Sequence, residues 1–174
     1  MNKRLYITTM LHPNIVKNIK QMCKDRGYII LDEKENEIIT NECYIIFTND
    51  IKININYIKD ITHMMTKQDI KHVIIVYNGN ITINNHNLKE INSIYNIEFF
   101  PEKLFMFNIT KHELVPKHEK LSNTDPDYKA IVKEKCHLPY ILEHDPICKY
   151  YNFKNGDILK ITRKNNIVVY RLVV

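Results

Sequence analysis

Asp50-Ile51-Lys52 has the acid-x-Lys form of a nuclease site. With Asp32 as an upstream carboxylate, the set would hold a divalent ion through oxygen ligands and support metal-assisted phosphodiester hydrolysis. The competing reading is chance, because acid-x-Lys triplets arise readily in a lysine-rich chain. Four cysteines, Cys23, Cys43, Cys136 and Cys148, are widely separated and form no C-x-x-C pair. Zinc sites draw their ligands from pairs at short spacing, so reduced and mostly buried thiols are the expectation. None of the eight histidines stands in an H-E-x-x-H pattern. His112 and His118 bracket a proline-containing segment with no nucleophile or base beside them, which suits hydrogen bonding to nearby backbone. Three glycines in the whole chain scarcely suffice for a phosphate-cradling loop. No cofactor and no metal are implied.

These residues need elements to position them, and composition bounds what those elements are. The 174 residues allow one domain or two small ones, and 44% hydrophobic content is ample for a buried core. Residues 1–105 carry 13 basic and 12 acidic side chains, and residues 106–174 carry 12 and 8, so the charge excess is +1 against +4. A dedicated nucleic-acid binder shows a stronger basic stripe. No run approaches the roughly 18 apolar residues of a membrane span, and Met1 to Met10 is charged and lacks a leader's apolar stretch.

In the first part, Ile15, Val16, Ile19, Met22 and Cys23 recur at helical spacing, which predicts a helix from Pro13 to Arg26 stopped by Gly27. Tyr28 to Leu31 reads as a strand, and the acidic tract Asp32 to Glu37 as a solvated loop or helix end. Cys43 to Phe47 reads as a strand, and Ile51, Ile53 and Ile55 alternate as another extended stretch. Ile58, Ile61 and Met65 fit one helical face. Lys71 to Tyr77, apolar on both faces, is expected in the interior of a sheet. Leu88, Ile91 and Ile94 suggest a short helix, and Ile97 to Phe100 a further strand. This alternation predicts an α/β domain over 1–105.

Residues 106–174 read as a small α+β module, entered by a strand from Leu104 to Ile109. Asp145-Pro146 starts a helix, the Asp as cap and Pro at the first position. Asn155-Gly156 is expected to stop it. Ile158, Leu159 and Ile161 begin a strand, Asn165-Asn166 turns it, and Ile167 to Val173 returns as its partner.

The order of motifs in this module carries a family resemblance: HELVPKH (His112 to His118), Leu138-Pro139, Asp145-Pro146, Lys154-Asn155-Gly156, Lys160-Ile161-x-Arg163 and Tyr170-Arg171-Leu172. It resembles the assembly domain of the fifth subunit shared by the eukaryotic nuclear RNA polymerases, a family with shorter archaeal members. MCKDRGY (Met22 to Tyr28) and VIIVYNGNIT (Val73 to Thr82) extend the resemblance to the N-terminal half, which archaeal members lack. That points to a eukaryote or a large DNA virus of eukaryotes. The resemblance implies an N-terminal jaw with a restriction-endonuclease-like fold and mixed sheet, without nuclease activity, beside downstream DNA. It implies a C-terminal domain docking on the largest polymerase subunit, and a non-catalytic role in transcription. The motif residues it marks are His112, Glu113, Pro116, Leu138, Pro139, Asp145, Pro146, Gly156, Lys160, Arg163, Tyr170 and Arg171. Those near DNA would be Thr82, Asn84, Asn85 and Lys89, in weak, sequence-independent contact. The implied location is the nucleus if the source is cellular, and the virion and host cytoplasm if viral. Three departures stand out: Tyr140 follows Leu138-Pro139 where the family has Arg, the final hairpin tip is short, and Thr82-Ile83-Asn84-Asn85 replaces a Thr-Pro-Ser-Ala tract.

Overall fold

A computed structural model describes residues 12–49, 52–83 and 90–174. The chain divides into two compact units, Met1–Phe107 and Asn108–Val174.

The first unit opens with α1 (Pro13–Asp25), whose buried Ile15, Ile19, Met22 and Cys23 trace one face. It ends at Arg26, and Gly27 follows with φ 77°, the left-handed conformation that admits glycine at little cost. Next come β1 (Ile30–Lys34), β2 (Glu37–Thr40), β3 (Tyr44–Thr48), β4 (Lys52–Ile53), α2 (Ile55–Gln68), β5 (His72–Tyr77), β6 (Asn80–Ile81) and β7 (Asn96–Pro101). The main sheet has the order β1-β2-β3-β5-β7. β1, β2 and β3 pair antiparallel, while β3, β5 and β7 pair parallel, so the sheet is mixed.

β5 lies inside the sheet with five of its six residues buried. Strand alternation sends Val73 and Ile75 to one face, where they pack with Ile58 and Met65 of α2. Ile74 and Val76, on the other face, are equally buried. Each such side chain contributes roughly 1.5–3 kcal/mol.

Several expectations are corrected here. The tract Asp32 to Glu37 is no loop or helix end: Asp32, Glu33 and Lys34 continue β1, and Glu37 opens its hairpin partner. Backbone pairing at a sheet edge tolerates charged side chains because both faces there meet water. The strand read over Tyr28 to Leu31 begins only at Ile30. Ile55 leaves the extended stretch and starts α2, because Asn54 caps the helix by accepting from the Tyr57 N–H at 3.0 Å. Leu104 to Ile109 is not a strand. Glu102–Phe105 forms a 3-10 turn that buries Phe105 against Phe100, ring centroids 5.3 Å apart, and offers its carbonyl to Asn18 of α1 at 2.8 Å. Of the short helix read around Leu88, residues 90–92 are helical, and Leu88 lies outside the described residues.

The second unit has β8 (Lys117–Lys120), α3 (Tyr128–Lys133), β9 (Tyr140–Ile141), α4 (Pro146–Tyr151), β10 (Ile158–Thr162) and β11 (Val168–Val173). Its sheet runs β8-β10-β11-β9, with β11 parallel to β9 and the other pairs antiparallel. Cys148 and Phe153 pack on Leu159, Ile161 and Val173 as its core. The helix stop is Asn152, held at φ 58°, rather than Asn155-Gly156. Asparagine adopts the left-handed conformation readily enough to end α4 one turn early. Asn165 and Asn166, both at positive φ, turn the hairpin between β10 and β11.

Candidate subunit-docking surface

The motif residues of the second unit fall into three groups. The first shapes backbone. Asp145 accepts from the Ile147 N–H at 2.9 Å, and Pro146 occupies the first position of α4. His118 Nδ1 donates to the Pro116 carbonyl at 2.8 Å, and burial draws its imidazole below the ordinary value, so the ring is neutral at physiological pH. His112 Nδ1 accepts from the Leu114 N–H at 3.2 Å. Both histidines thus serve backbone. Pro139 offers its carbonyl to the Leu172 N–H at 3.0 Å, and Leu138 beside it is half-buried.

Gly156 sits at φ 91° in the turn after α4, where its N–H donates to Val173 and its carbonyl accepts from Lys135 Nζ at 2.9 Å. An added Cβ would stand 3.7 Å from that ammonium, an ordinary contact, so the penalty of Gly156→Ala is backbone strain. We expect it to lower stability by about 1–3 kcal/mol in urea denaturation.

The second group is tied down within the unit. Lys160 reaches Asp125 at 3.2 Å. The Ser122 N–H and then Lys160, both donating to that carboxyl, hold it below its usual range. The Tyr170 hydroxyl donates to Asp127 at 3.1 Å, and Arg171 donates to the Tyr140 carbonyl at 2.9 Å. Glu113 pairs with Lys164 at 2.8 Å, although both side chains are exposed and the pair is worth little. Sequence reasoning does not single out Asp125 and Asp127. A signal for them exists all the same, because Asp125-Pro126 repeats the dipeptide of Asp145-Pro146 just before α3.

The third group faces solvent. Arg163 is exposed, and its guanidinium has no partner among the described residues. Leu114, 80% exposed, and Tyr140, 57% exposed, present apolar surface beside the motif positions. Tyr140 is the departure from Leu-Pro-Arg, and its backbone, through Arg171, keeps a polar contact at this place.

In the first unit, Thr82 turns both its N–H and its hydroxyl to the Ile53 carbonyl, at 3.0 and 3.2 Å. Asn84, Asn85 and Lys89 lie outside the described residues, as does Asp50. Asp32 is exposed on β1 with Lys34 at 3.9 Å, and Lys52 is on β4, a strand of the separate two-stranded sheet. Among the described residues no three His, Cys, Asp or Glu side chains gather as metal ligands, and the nuclease reading finds no support. Burial pushes the Cys23 thiol up to about 12 and those of Cys43 and Cys148 up to about 11, whereas Cys136 is exposed. Alkylation of the native protein at neutral pH is therefore expected at Cys136 alone among the four, as read by peptide mass mapping.

Sequence reasoning missed a buried polar network altogether. Arg26, at the end of α1, makes a bidentate pair with Glu98 of β7, both bonds 2.8 Å, and His72 Nε2 lies 2.6 Å from the same carboxylate. The Arg26 side chain is 1% exposed, and its guanidinium stands 5.8 Å from the Tyr28 ring and 5.9 Å from that of Phe100. Burial alone would raise the Glu98 carboxyl. Hydrogen bonds from His72 and Arg26, with the guanidinium's charge, overcome it and hold the group at about 2.

Comparison with known proteins sets the class. Residues 107–173 match the family model described as RNA polymerase Rpb5, C-terminal domain, which makes this a chain of the polymerase-subunit type. Over nearly its full length it is 31% identical to the DNA-directed RNA polymerases I, II, and III subunit rpabc1 of Dictyostelium discoideum, with 92% of this chain and 95% of that one aligned. The corresponding subunit of Caenorhabditis briggsae is 29% identical, over 92% and 94%. An uncharacterized protein, 092R, of Invertebrate iridescent virus 3 is 30% identical over 79% of this chain and 70% of its own. The chain belongs to the Rpb5 family, the non-catalytic shared subunit of DNA-directed RNA polymerase.

Proposed function

We propose that this chain serves as a non-catalytic subunit of a multisubunit DNA-directed RNA polymerase, with residues 108–174 docking on the largest subunit. The observation that carries this reading is the sorting of the motif residues. Lys160, Tyr170 and Arg171 are occupied inside the unit, which leaves Arg163 and the exposed Leu114 and Tyr140 to face a neighbour. The first unit is the jaw, its mixed sheet an example of the restriction-endonuclease-like fold without the nuclease activity, flanking downstream duplex DNA. The stretch 82–89 supplies weak and salt-sensitive backbone contacts there, without sequence preference. The place of action is the nucleus for a cellular source, and the virion and host cytoplasm for a viral one. A tagged copy expressed in its native cell is expected to co-purify with the polymerase large subunits in stoichiometric amount. Recovery as a free monomer from transcriptionally active extract would overturn the reading. Site-specific crosslinking from residue 89 in an elongation complex tests the jaw separately, since the absence of downstream-DNA adducts removes that part alone.

A further inference from the structure

Among the described residues β1 is an edge strand, and every one of its residues is exposed. With Ile29 before it, the edge carries three consecutive large aliphatics, Ile29, Ile30 and Leu31, at 64%, 37% and 66% exposure. Soluble sheets usually protect such an edge with charge, a bulge or a covering element. Here the bulge falls at Leu31, and the charged protection is confined to the far half. The register shifts between Ile30 and Asp32, Asp32 holds the Glu33 N–H at 2.9 Å, and Lys34 lies within 4 Å of Asp32 and Glu37. Among the described residues no strand pairs with the outer edge of the apolar half. Around it the hairpin is acidic: Asp32, Glu33, Glu35 and Glu37 outnumber Lys34 and Lys20, the latter reaching Glu33 from α1 at 2.6 Å.

We propose that the free edge of β1 accepts an extended segment of a different protein, one in which aliphatic residues alternate with lysine or arginine. Main-chain hydrogen bonds along the edge supply the affinity, and the open aliphatics and surplus carboxylates select the side chains. A second copy of this chain fits poorly. Antiparallel self-pairing centred on Asp32 sets that carboxylate against its own copy and Leu31 against Glu33. Recentring on Ile30 restricts the ladder to about five residues, Tyr28 to Asp32, because the end of α1 and the left-handed Gly27 lie just upstream, and it sets Tyr28 against Asp32. This inference does not depend on the polymerase reading.

The test uses the full chain and a synthetic Val/Lys alternating peptide of about nine residues, the length of a long strand. A Val/Glu peptide and a proline-interrupted Val/Lys peptide serve as controls. Fluorescence anisotropy is expected to show binding of the Val/Lys peptide alone, and amide exchange at residues 29–34 is expected to slow in its presence. Leu31→Lys should weaken binding by about tenfold or more while leaving the circular dichroism and melting curve unchanged. Ile29→Lys is the second variant should the first disturb the fold. Equal binding of either control, or unchanged exchange at 29–34, overturns the proposal. Two further outcomes also overturn it by naming another occupant. One is protection without peptide that disappears on dilution, which is self-pairing. The other is protection that disappears when residues 1–11 are deleted, which is occupation by the chain itself.

Discussion

Glu98→Ala is expected to lower the stability of the first unit by about 3–5 kcal/mol, because it leaves the Arg26 guanidinium buried without its carboxylate. That is a large share of the roughly 5–15 kcal/mol typical of a folded domain, and urea denaturation should show it as a markedly earlier midpoint. The loss reflects the abandoned charge rather than the worth of the pair. Removing both charges with Arg26→Met and Glu98→Leu together should therefore recover most of the stability. Recovery would also show that the network's role is to seat α1 against β7, a job apolar packing can share. Acid provides an independent test. Glu98 has its folded pKa depressed from 4.5 to about 2, so its contribution is complete above pH 4.5 and is lost as pH falls through about 2. Wild-type protein should lose on the order of 3 kcal/mol across that window. The doubly apolar variant should lack this component of the acid slope.

Leu159→Ala is the second large effect, and it tests the proposed docking. Leu159 is fully buried in a core built from Cys148, Phe153, Ile161 and Val173. Truncation of such a leucine costs about 2–5 kcal/mol, through lost burial and the cavity left behind. A unit of this size has little stability to spare. We expect the variant to unfold residues 108–174 near physiological temperature and to fail to co-purify with polymerase, while the first unit keeps its own melting transition. Arg163→Ala provides the contrast. Its side chain is exposed and without a partner among the described residues, so stability should change by no more than about 0.5 kcal/mol. Lost co-purification in that variant would then report a contact rather than a fold. Equal loss of stability in the two variants would remove the distinction between core and docking residues.

What could be read from sequence followed from local periodicity. The helix α1 shows in the spacing of Ile15, Ile19, Met22 and Cys23, and β5 in the unbroken run Val73 to Val76. The cap at Asp145 and the turn at Asn165-Asn166 are likewise local chemistry. The elements missed are those whose stability comes from a neighbour. Lys117-His118-Glu119-Lys120 has no apolar alternation and is a strand because β10 pairs with it. Asp32, Glu33 and Lys34 look like a solvated loop until β2 returns beside them. The Arg26–Glu98–His72 network joins residues on three elements, and nothing in a single chain's pattern couples positions so far apart. The motif residues were visible through family resemblance, but their division into occupied and open side chains was not. Lys160 and Arg163 look alike in sequence and differ only because Asp125 stands beside the first.

The strand order β8-β10-β11-β9 places β11 between two strands that precede it in the chain. During synthesis, β9 and β10 therefore emerge with a gap between them that only Val168–Val173 can fill. A product cut short by a premature stop codon before Val168 would expose two strand edges and the apolar surface of Leu159 and Ile161 at once. Such a fragment is open to aggregation and to proteases. Only chains translated through β11 would close this sheet, so the topology itself sorts finished units from interrupted ones.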